Sequence, residues 1–423
     1  MLQCAPKSVR VYQSPPQSLN VSNHKLTICL CNDNKTNVDI LDIKSVYASG
    51  FVEAITVNSL YHHGAGQESL DNCKGSVSEC GKMTYVVVTG ASGYLAQHVI
   101  KQLLERNYKV IGTVRNQQKA DDIAKQFQND NLTLELVPDL LQADVFDDLF
   151  LKYTGQIKHV IHTASPCRFD TTEYENEMLL PAINGTKRVL ESIKKYASKT
   201  VETVVYTSSV SALANPAGIL DSNLTLTEES WNPDSFEDGK KAVFSAYYVS
   251  KTFAERTGWD FWKENKDQVK FELTTICPSY IFGPQAFEEN AKGTLNFSSE
   301  IVNKILRSNS GDELDKNFAG AFVDVRDVAR AHVLALEKPE LKSKRLVLLN
   351  DVYALQDVAD YIYKHFPELR GKIATGVPGE GKEIVKHIAH YDNSKTKKLL
   401  GFEFISFGQA ITDTVAQILK ANN

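Results

Sequence analysis

The apolar run Tyr85-Val86-Val87-Val88 breaks directly into Thr89-Gly90-Ala91-Ser92-Gly93-Tyr94-Leu95-Ala96. No other stretch of the chain limits its fold so sharply. A strand that turns through glycines into a helix is how a doubly wound sheet grips a dinucleotide. Small residues are needed there for physical reasons. Gly90 permits the tight turn, Gly93 lets backbone approach a pyrophosphate, and Ala96 lets the helix pack closely on the strand. The amides and the dipole at the start of that helix then face the phosphates.

From Met83 onward strand and helix patterns alternate. Apolar runs occur at Tyr85–Val88, Val110–Val114, Leu132–Val137, Val160–Ala164, Val201–Thr207 and Phe271–Cys277, with amphipathic segments between them. Leu95, Val99, Leu103 and Leu104 give helical spacing on the first of these segments. Near-continuous apolar strands separated by helices predict a parallel sheet covered on both faces. The fold class is therefore α/β, a Rossmann-type doubly wound parallel sheet. After about Gly283 the rhythm changes to helix Leu295–Leu306, a short strand near Phe322, helix Val325–Leu336, strand Arg345–Leu349 and helix Leu355–His365. That pattern predicts a smaller α+β substrate-binding lobe. Residues 83–283 are thus mainly the nucleotide-binding domain, and 284–423 mainly the lobe, with elements returning to the sheet.

Residues 1–82 read differently. They hold five of the seven cysteines, and seven basic residues balance seven acidic ones. Short strands are expected around Leu26–Leu30 and Asp39–Tyr47, but no sustained period is present. The segment is expected to be a poorly ordered extension, with Met83 as the functional start. It does not have the acid-poor composition of a transit peptide.

Composition narrows the class. The 423 residues are 42% hydrophobic and 23% charged with a formal charge of -5, ordinary values for a globular protein. There is no basic excess to draw nucleic acid or an anionic membrane surface. No apolar run approaches the roughly 18 residues of a membrane span. Seven cysteines do not make a disulfide scaffold. A cytosolic protein is expected, with no nucleic-acid or membrane partner.

The end of the second strand bears on the cofactor. A site for NAD asks for a carboxylate about 20 residues after the glycines, to hold the ribose hydroxyl. Here no Asp or Glu occurs between Glu105 and Asp121, and Arg115 and Lys119 stand there instead. Both cations can pair with a 2′-phosphate, which favours NADPH/NADP+. Asp139, after the third strand, either meets an adenine amino group or caps its own turn.

The chemistry is carried by Tyr247 and Lys251, four residues apart on a predicted helix Phe244–Trp262, so both face one side. A free tyrosine titrates at about 10 and is a poor acid at neutral pH, but a cation held beside it favours the phenolate. Lys251 can serve that purpose and also bond the nicotinamide ribose. Thr207-Ser208-Ser209 ends the fifth strand, at the sheet edge where ligands bind. In this scheme hydride passes to a carbonyl carbon, Tyr247 donates the proton, and Ser209 holds the oxygen.

These residues, with several longer runs, resemble the extended short-chain dehydrogenases/reductases, of the NAD(P)-dependent epimerase/dehydratase type. Within them the chain is most similar to the NADPH-dependent methylglyoxal (isovaleraldehyde) reductases. Dihydroflavonol and cinnamoyl-CoA reductases are more distant. The runs are Gly90-Ala-Ser-Gly-Tyr-Leu-Ala-Gln-His98, His162-Thr-Ala-Ser-Pro166, Glu228-Glu-Ser-Trp-Asn-Pro233, Phe271-Glu-Leu-Thr274, Phe282-Gly-Pro-Gln285, Val323-Asp-Val-Arg-Asp-Val-Ala329 and Lys397-Lys-Leu-Leu-Gly-Phe402. The resemblance spans 83–423. It implies a cofactor held by Gly90, Ala91, Ser92, Gly93, Tyr94, Leu95, Arg115, Lys119, Asp139, Leu140, Tyr247, Lys251, Ile281 and Ser298. It implies Ser209, rather than Ser208, as the catalytic serine, and leaves room for a homodimer. The implied reaction is reduction of methylglyoxal and other 2-oxoaldehydes, isovaleraldehyde and ketones. Where the family carries bulky aromatics at the substrate pocket, this chain has Cys167, Val210 and Ala214, with Tyr280 retained. A wider or less aromatic pocket is the expectation.

Other readings have less support. A non-catalytic NADP(H)-sensing Rossmann protein has no need of Tyr247, Lys251 and Ser209. An epimerase or sterol dehydrogenase is a second alternative, but an epimerase would favour the missing carboxylate. His24, Cys29, Cys31, His62 and His63 fit no common zinc spacing, so no metal is expected. His162, inside a strand, reads as a packed core residue, and Trp231 as core or lid.

Overall fold

The computed structural model describes residues 31–32, 35–36, 84–165 and 169–422. The chain divides between Lys82 and Met83. In the first unit the description is of one antiparallel pair, Cys31–Asn32 against Lys35–Thr36. The strands expected at Leu26–Leu30 and Asp39–Tyr47 lie outside the described residues.

In the second unit the apolar runs become strands β1 (Tyr85–Thr89), β2 (Lys109–Val114), β3 (Leu132–Leu136), β4 (Ile157–His162), β5 (Thr203–Thr207) and β6 (Glu272–Pro278). A later strand, Arg345–Leu348, pairs with β6 at the far edge. The seven form one parallel sheet, in which β3, β2, β1, β4, β5 and β6 lie side by side in that order. The direction of winding reverses between β1 and β4, which opens a crevice at their carboxyl ends.

Side-chain alternation explains why these strands read as unbroken apolar runs. Val86 and Val88 enter the cluster that contains Leu95, Val99 and Leu103 of helix α1 (Tyr94–Glu105). Val87 faces the other way, into a cluster with Val189 and Ile193 of α4 (Leu180–Tyr196) and Ala254 of α5 (Val243–Asn265). Helices α2 (Gln117–Phe127) and α3 (Asp147–Lys152) complete the sequence of crossovers. All three valines are fully buried, so both faces must be covered.

The strand expected to run to Ala164 ends at His162. The reason is a side chain: Thr89 Oγ1 accepts the amides of Thr163 (3.1 Å) and Ala164 (3.0 Å), which withdraws them from the ladder.

A single residue, Ser279, separates β6 from β7 (Tyr280–Phe282). Strand β7 runs parallel to β8 (Ala319–Asp324), and β8 is antiparallel to β10 (Asp351–Ala354), β9 being the edge strand Arg345–Leu348. This small mixed sheet packs around Phe282, Phe322 and Tyr353 against α6 (Phe297–Leu306), α8 (Leu355–His365) and α10 (Phe407–Asn422), α9 being the short helix Ser394–Leu400. Helix α7 (Val325–Glu337) instead covers the large sheet beside α1. Buried Asp324 takes both ends of the Arg326 fork at 2.8 and 2.7 Å, and Arg326 Nη1 reaches Asp413 of α10 at 2.7 Å. Among the described residues no helix is long and apolar enough to cross a membrane.

Gly112, in the middle of β2, carries no turn signal, yet the fold needs it. A Cβ there would lie 2.8 Å from Ala91 Cβ and 2.9 Å from Leu134 Cδ2. Gly112→Val is expected to destabilise the protein by about 1–3 kcal/mol through overpacking. Its unfolding midpoint in denaturant should fall, and an unchanged midpoint would mean that the turn and β3 can move apart.

Candidate active site

The turn after β1 is held by the neighbouring strand. Gly90 takes φ +69°, and its amide donates to Thr113 Oγ1 at 3.2 Å. A Cβ at Gly90 would come within 3.2 Å of Ala164 on β4's continuation, so this position cannot carry a side chain without displacing backbone. The Ala91 amide donates to Thr113 O at 2.8 Å, and Gly93 to Gly90 O at 2.8 Å. Those bonds fix the start of α1, whose first-turn amides, beginning at Tyr94, are the kind of donors that can receive an anion. Ala91 itself is fully buried and points into the core.

Two neutral histidines lie behind the sheet's carboxyl edge. Thr89 Oγ1 already accepts two amides, so its proton goes to His162 Nδ1, 2.8 Å away, which fixes the ring's tautomer. His162 also stacks on Tyr206 at 5.8 Å. It is a packed core residue, as its place in a strand suggested. His332 Nδ1 donates to the Val328 carbonyl at 2.8 Å, and Nε2 accepts from Thr207 Oγ1 at 2.8 Å.

Helix α5 starts after Ala242 in extended backbone and carries Tyr247 and Lys251 on one face. Lys251 is 7% exposed, and its Nζ lies 5.8 Å from the centroid of the Tyr247 ring. The loop after β5 brings two serines to the same place. Ser209 is extended (φ −161°) and caps the following turn by accepting the Ser211 amide at 3.1 Å. Ser208 gives its hydroxyl proton to buried Glu255 at 2.7 Å.

These elements enclose a cleft of about 270 Å³. Gly90, Gly93, Tyr94, Leu95, Ser208, Ser209, Val210, Tyr247, Lys251, Tyr280, Ile281 and Ser298 all line it. A second, polar hollow of about 730 Å³ takes in Ser92, Lys119 and Asp122. Arg115 stands exposed at the end of β2, outside the lining of both. Asp139 accepts the Leu141 amide at 2.8 Å, so it caps its own turn, and Leu140 packs against Gly185. Ala214 does not reach the cleft: it is buried with Leu213, Ile219 and Cys277, because the 3-10 turn after Ser209 rotates it inward. Cys167 lies outside the described residues, as do His24, Cys29, His62 and His63, and of Cys31 only the backbone pairing is described. Among the described residues no group of three or more His, Cys, Asp or Glu side chains could hold a metal ion.

Aromatic rings line much of the cleft. Phe169 stacks on Phe297 at 4.3 Å and lies 5.4 Å from both the Tyr247 and Phe244 rings. Tyr248, Tyr280 and Tyr391 complete the lining. The small Val210 thus shares the cleft with rings from distant parts of the chain. Of these, Tyr280 was expected from the sequence, and the others were not.

Comparison with known proteins agrees with this geometry. The family model described as NAD dependent epimerase/dehydratase matches residues 86–349. The NADPH-dependent methylglyoxal reductase GRE2 of Saccharomyces cerevisiae is 46% identical, over 79% of this chain and 98% of the relative. The crystal structure of yeast methylglyoxal/isovaleraldehyde reductase Gre2 complexed with NADPH superposes with a TM-score of 0.78 at 45% identity, covering 80% of this chain and 99% of that one. The Gre2–NADPH complex from Candida albicans gives a TM-score of 0.77 at 43% identity, over 80% of this chain and 100% of that one.

The buried histidines make stability depend on pH. Burial, with Lys251 adding to it, pushes His162 down to about 3, and burial pushes His332 down to about 4. In the unfolded chain both titrate near their ordinary value of about 6.5. The unfolded state therefore binds more protons between those limits, and stability falls as pH drops from about 6.5 toward 4, by up to about 1.4 kcal/mol per pH unit for each ring. Denaturant titrations at successive pH values should show that decline, and a flat profile would mean that the rings are charged in the native state.

Proposed function

We propose that this chain, which belongs to the NAD dependent epimerase/dehydratase family, is an NADPH-dependent reductase of small carbonyl compounds. Its substrates are methylglyoxal and other 2-oxoaldehydes, isovaleraldehyde and ketones, reduced to alcohols. The reading is of a cytosolic enzyme with no nucleic-acid or membrane partner, free to pair with a second copy. The observation that carries it is the buried Lys251 ammonium beside the Tyr247 ring, in one cleft with Ser209 and the glycine turn.

The residues present fit the dinucleotide. Gly90 offers a cradle that a Cβ would fill, and α1 presents its N-terminal amides there. The exposed cations Arg115 and Lys119 suit a 2′-phosphate, and Tyr94, Leu95, Ile281 and Ser298 line the path to Tyr247. Asp139 and Leu140 border the adenine end in this reading. When bound, NADPH supplies the hydride.

The chain's own residues do the rest. The Ser209 hydroxyl donates to the carbonyl oxygen and orients it. Tyr247 gives that oxygen its phenolic proton, and the Lys251 charge stabilises the phenolate left behind. The rings of Phe169, Phe244, Phe297 and Tyr280 take the apolar part of the substrate and exclude water from the reacting atoms.

NADPH consumption with methylglyoxal and isovaleraldehyde tests this reading. Tyr247→Phe is expected to lower kcat by about 10²–10⁴-fold, the range of general-acid catalysis, and turnover at the wild-type rate would remove Tyr247 from the mechanism. Arg115→Asp should raise the KM for NADPH while leaving NADH unaffected or improved. Equal effects on both cofactors would show that Arg115 does not meet the 2′-phosphate.

A further inference from the structure

Tyr247, Lys251 and Glu255 follow at four-residue intervals on α5, so they share one helical face. The first two line the cleft, whereas Glu255 is fully buried. Its Oε2 accepts from Ser208 Oγ at 2.7 Å and Arg345 Nη2 at 3.1 Å. Its Oε1 accepts from Arg345 Nε at 2.7 Å, Thr275 Oγ1 at 2.8 Å and Trp259 Nε1 at 3.3 Å. Arg345 spends its remaining donors on the carbonyls of Ser230, Glu228 and Ala212, and its guanidinium lies 3.8 Å from the centroid of the Trp231 ring. One carboxylate therefore joins the helix of Tyr247 and Lys251 to the serine preceding Ser209, to β6 through Thr275 and to β9 through Arg345.

A buried ion pair is a poor device for stability, since well-packed apolar residues often serve as well or better. What it does supply is a fixed geometry among the groups it bonds. Here those groups belong to the two chain segments whose spacing governs the proton transfer. We propose that Glu255, with Arg345 as counter-ion, is a positioning residue: through the Ser208 hydrogen bond it sets the Ser209 hydroxyl against Tyr247. The inference rests on the reductase reading given above. Ser208 then acts only through its neighbour, which explains why one hydroxyl of the pair faces inward.

The test uses Ser208, because removing the buried Glu255 charge would endanger folding. Ser208→Ala, Ser208→Thr, Ser209→Ala and the Ser208→Ala/Ser209→Ala double variant are compared in the full chain. Steady-state kcat and KM with isovaleraldehyde, NADPH affinity and unfolding midpoint are measured for each. A misplacement of about 1 Å costs up to about 100-fold in rate. Ser208→Ala should accordingly lose about 10- to 100-fold in kcat, with NADPH affinity and the KM for isovaleraldehyde unchanged. Ser208→Thr, which keeps the hydroxyl, should recover most of it, and the double variant should be no slower than Ser209→Ala alone. Wild-type kcat in Ser208→Ala overturns the proposal, as do losses that multiply in the double variant. Wild-type turnover in Tyr247→Phe would instead reject the reductase mechanism, whereas an inactive Tyr247→Phe beside an unaffected Ser208→Ala rejects the positioning role alone.

Discussion

The seam between β1 and β4 is the constraint on which the site depends. Winding reverses there, so the helices that follow the two strands leave on opposite faces and a crevice opens between them. One hydroxyl locks the seam: Thr89 Oγ1 accepts the Thr163 and Ala164 amides and donates to His162. The same approach of strands brings Ala164 against Gly90, so a Cβ on the first glycine of the turn would be crowded as well as strained by its positive φ. Sheet topology and cofactor cradle are thus one arrangement.

Around that seam the protein places charges where charge is costly. Asp324 and Glu255 are both fully buried, and each is met by an arginine fork with further donors on the same oxygens. Breaking one partner of such a pair leaves an uncompensated buried charge, at about 3–5 kcal/mol. Both pairs cross boundaries that packing alone would leave free to slide. Arg326 ties α7, on the large sheet, to α10 on the small one, and Arg345 ties β9 to α5 and to the 212–230 loops. Cys277, beside Glu255, feels the same environment: burial and the adjacent carboxylate push its thiol up to about 12, which leaves it chemically inert at neutral pH.

Much of the architecture was legible because it follows from local rules. Six apolar runs with helical segments between them can be satisfied only by a sheet covered on both faces, and the glycine turn marks its first crossover. Tyr247 and Lys251 could be assigned to one face from helical spacing alone. Legibility failed, or left alternatives open, where one side chain's hydrogen bond redirects the backbone or claims the group. The fourth strand stops two residues early because Thr89 captures its amides. Ala214 turns into the core because Ser209 caps a 3-10 turn. Asp139 spends an oxygen on its own turn.

The sequence by itself determined the class of sheet, the place of the nucleotide turn and the tyrosine–lysine pair, since each depends on contacts within a few residues or on a period. Only the tertiary structure decided which rings line the cleft and which buried charges brace the segments around it. Phe169, Phe244, Phe297 and Tyr391 belong to four separate segments and share no spacing, and they meet because the small sheet and its helices are carried to the carboxyl edge of the large one. Ser208, Glu255 and Arg345 are likewise far apart in the chain. Their bond energy exists only once the sheet has formed and excluded water, so nothing local in the sequence could announce it.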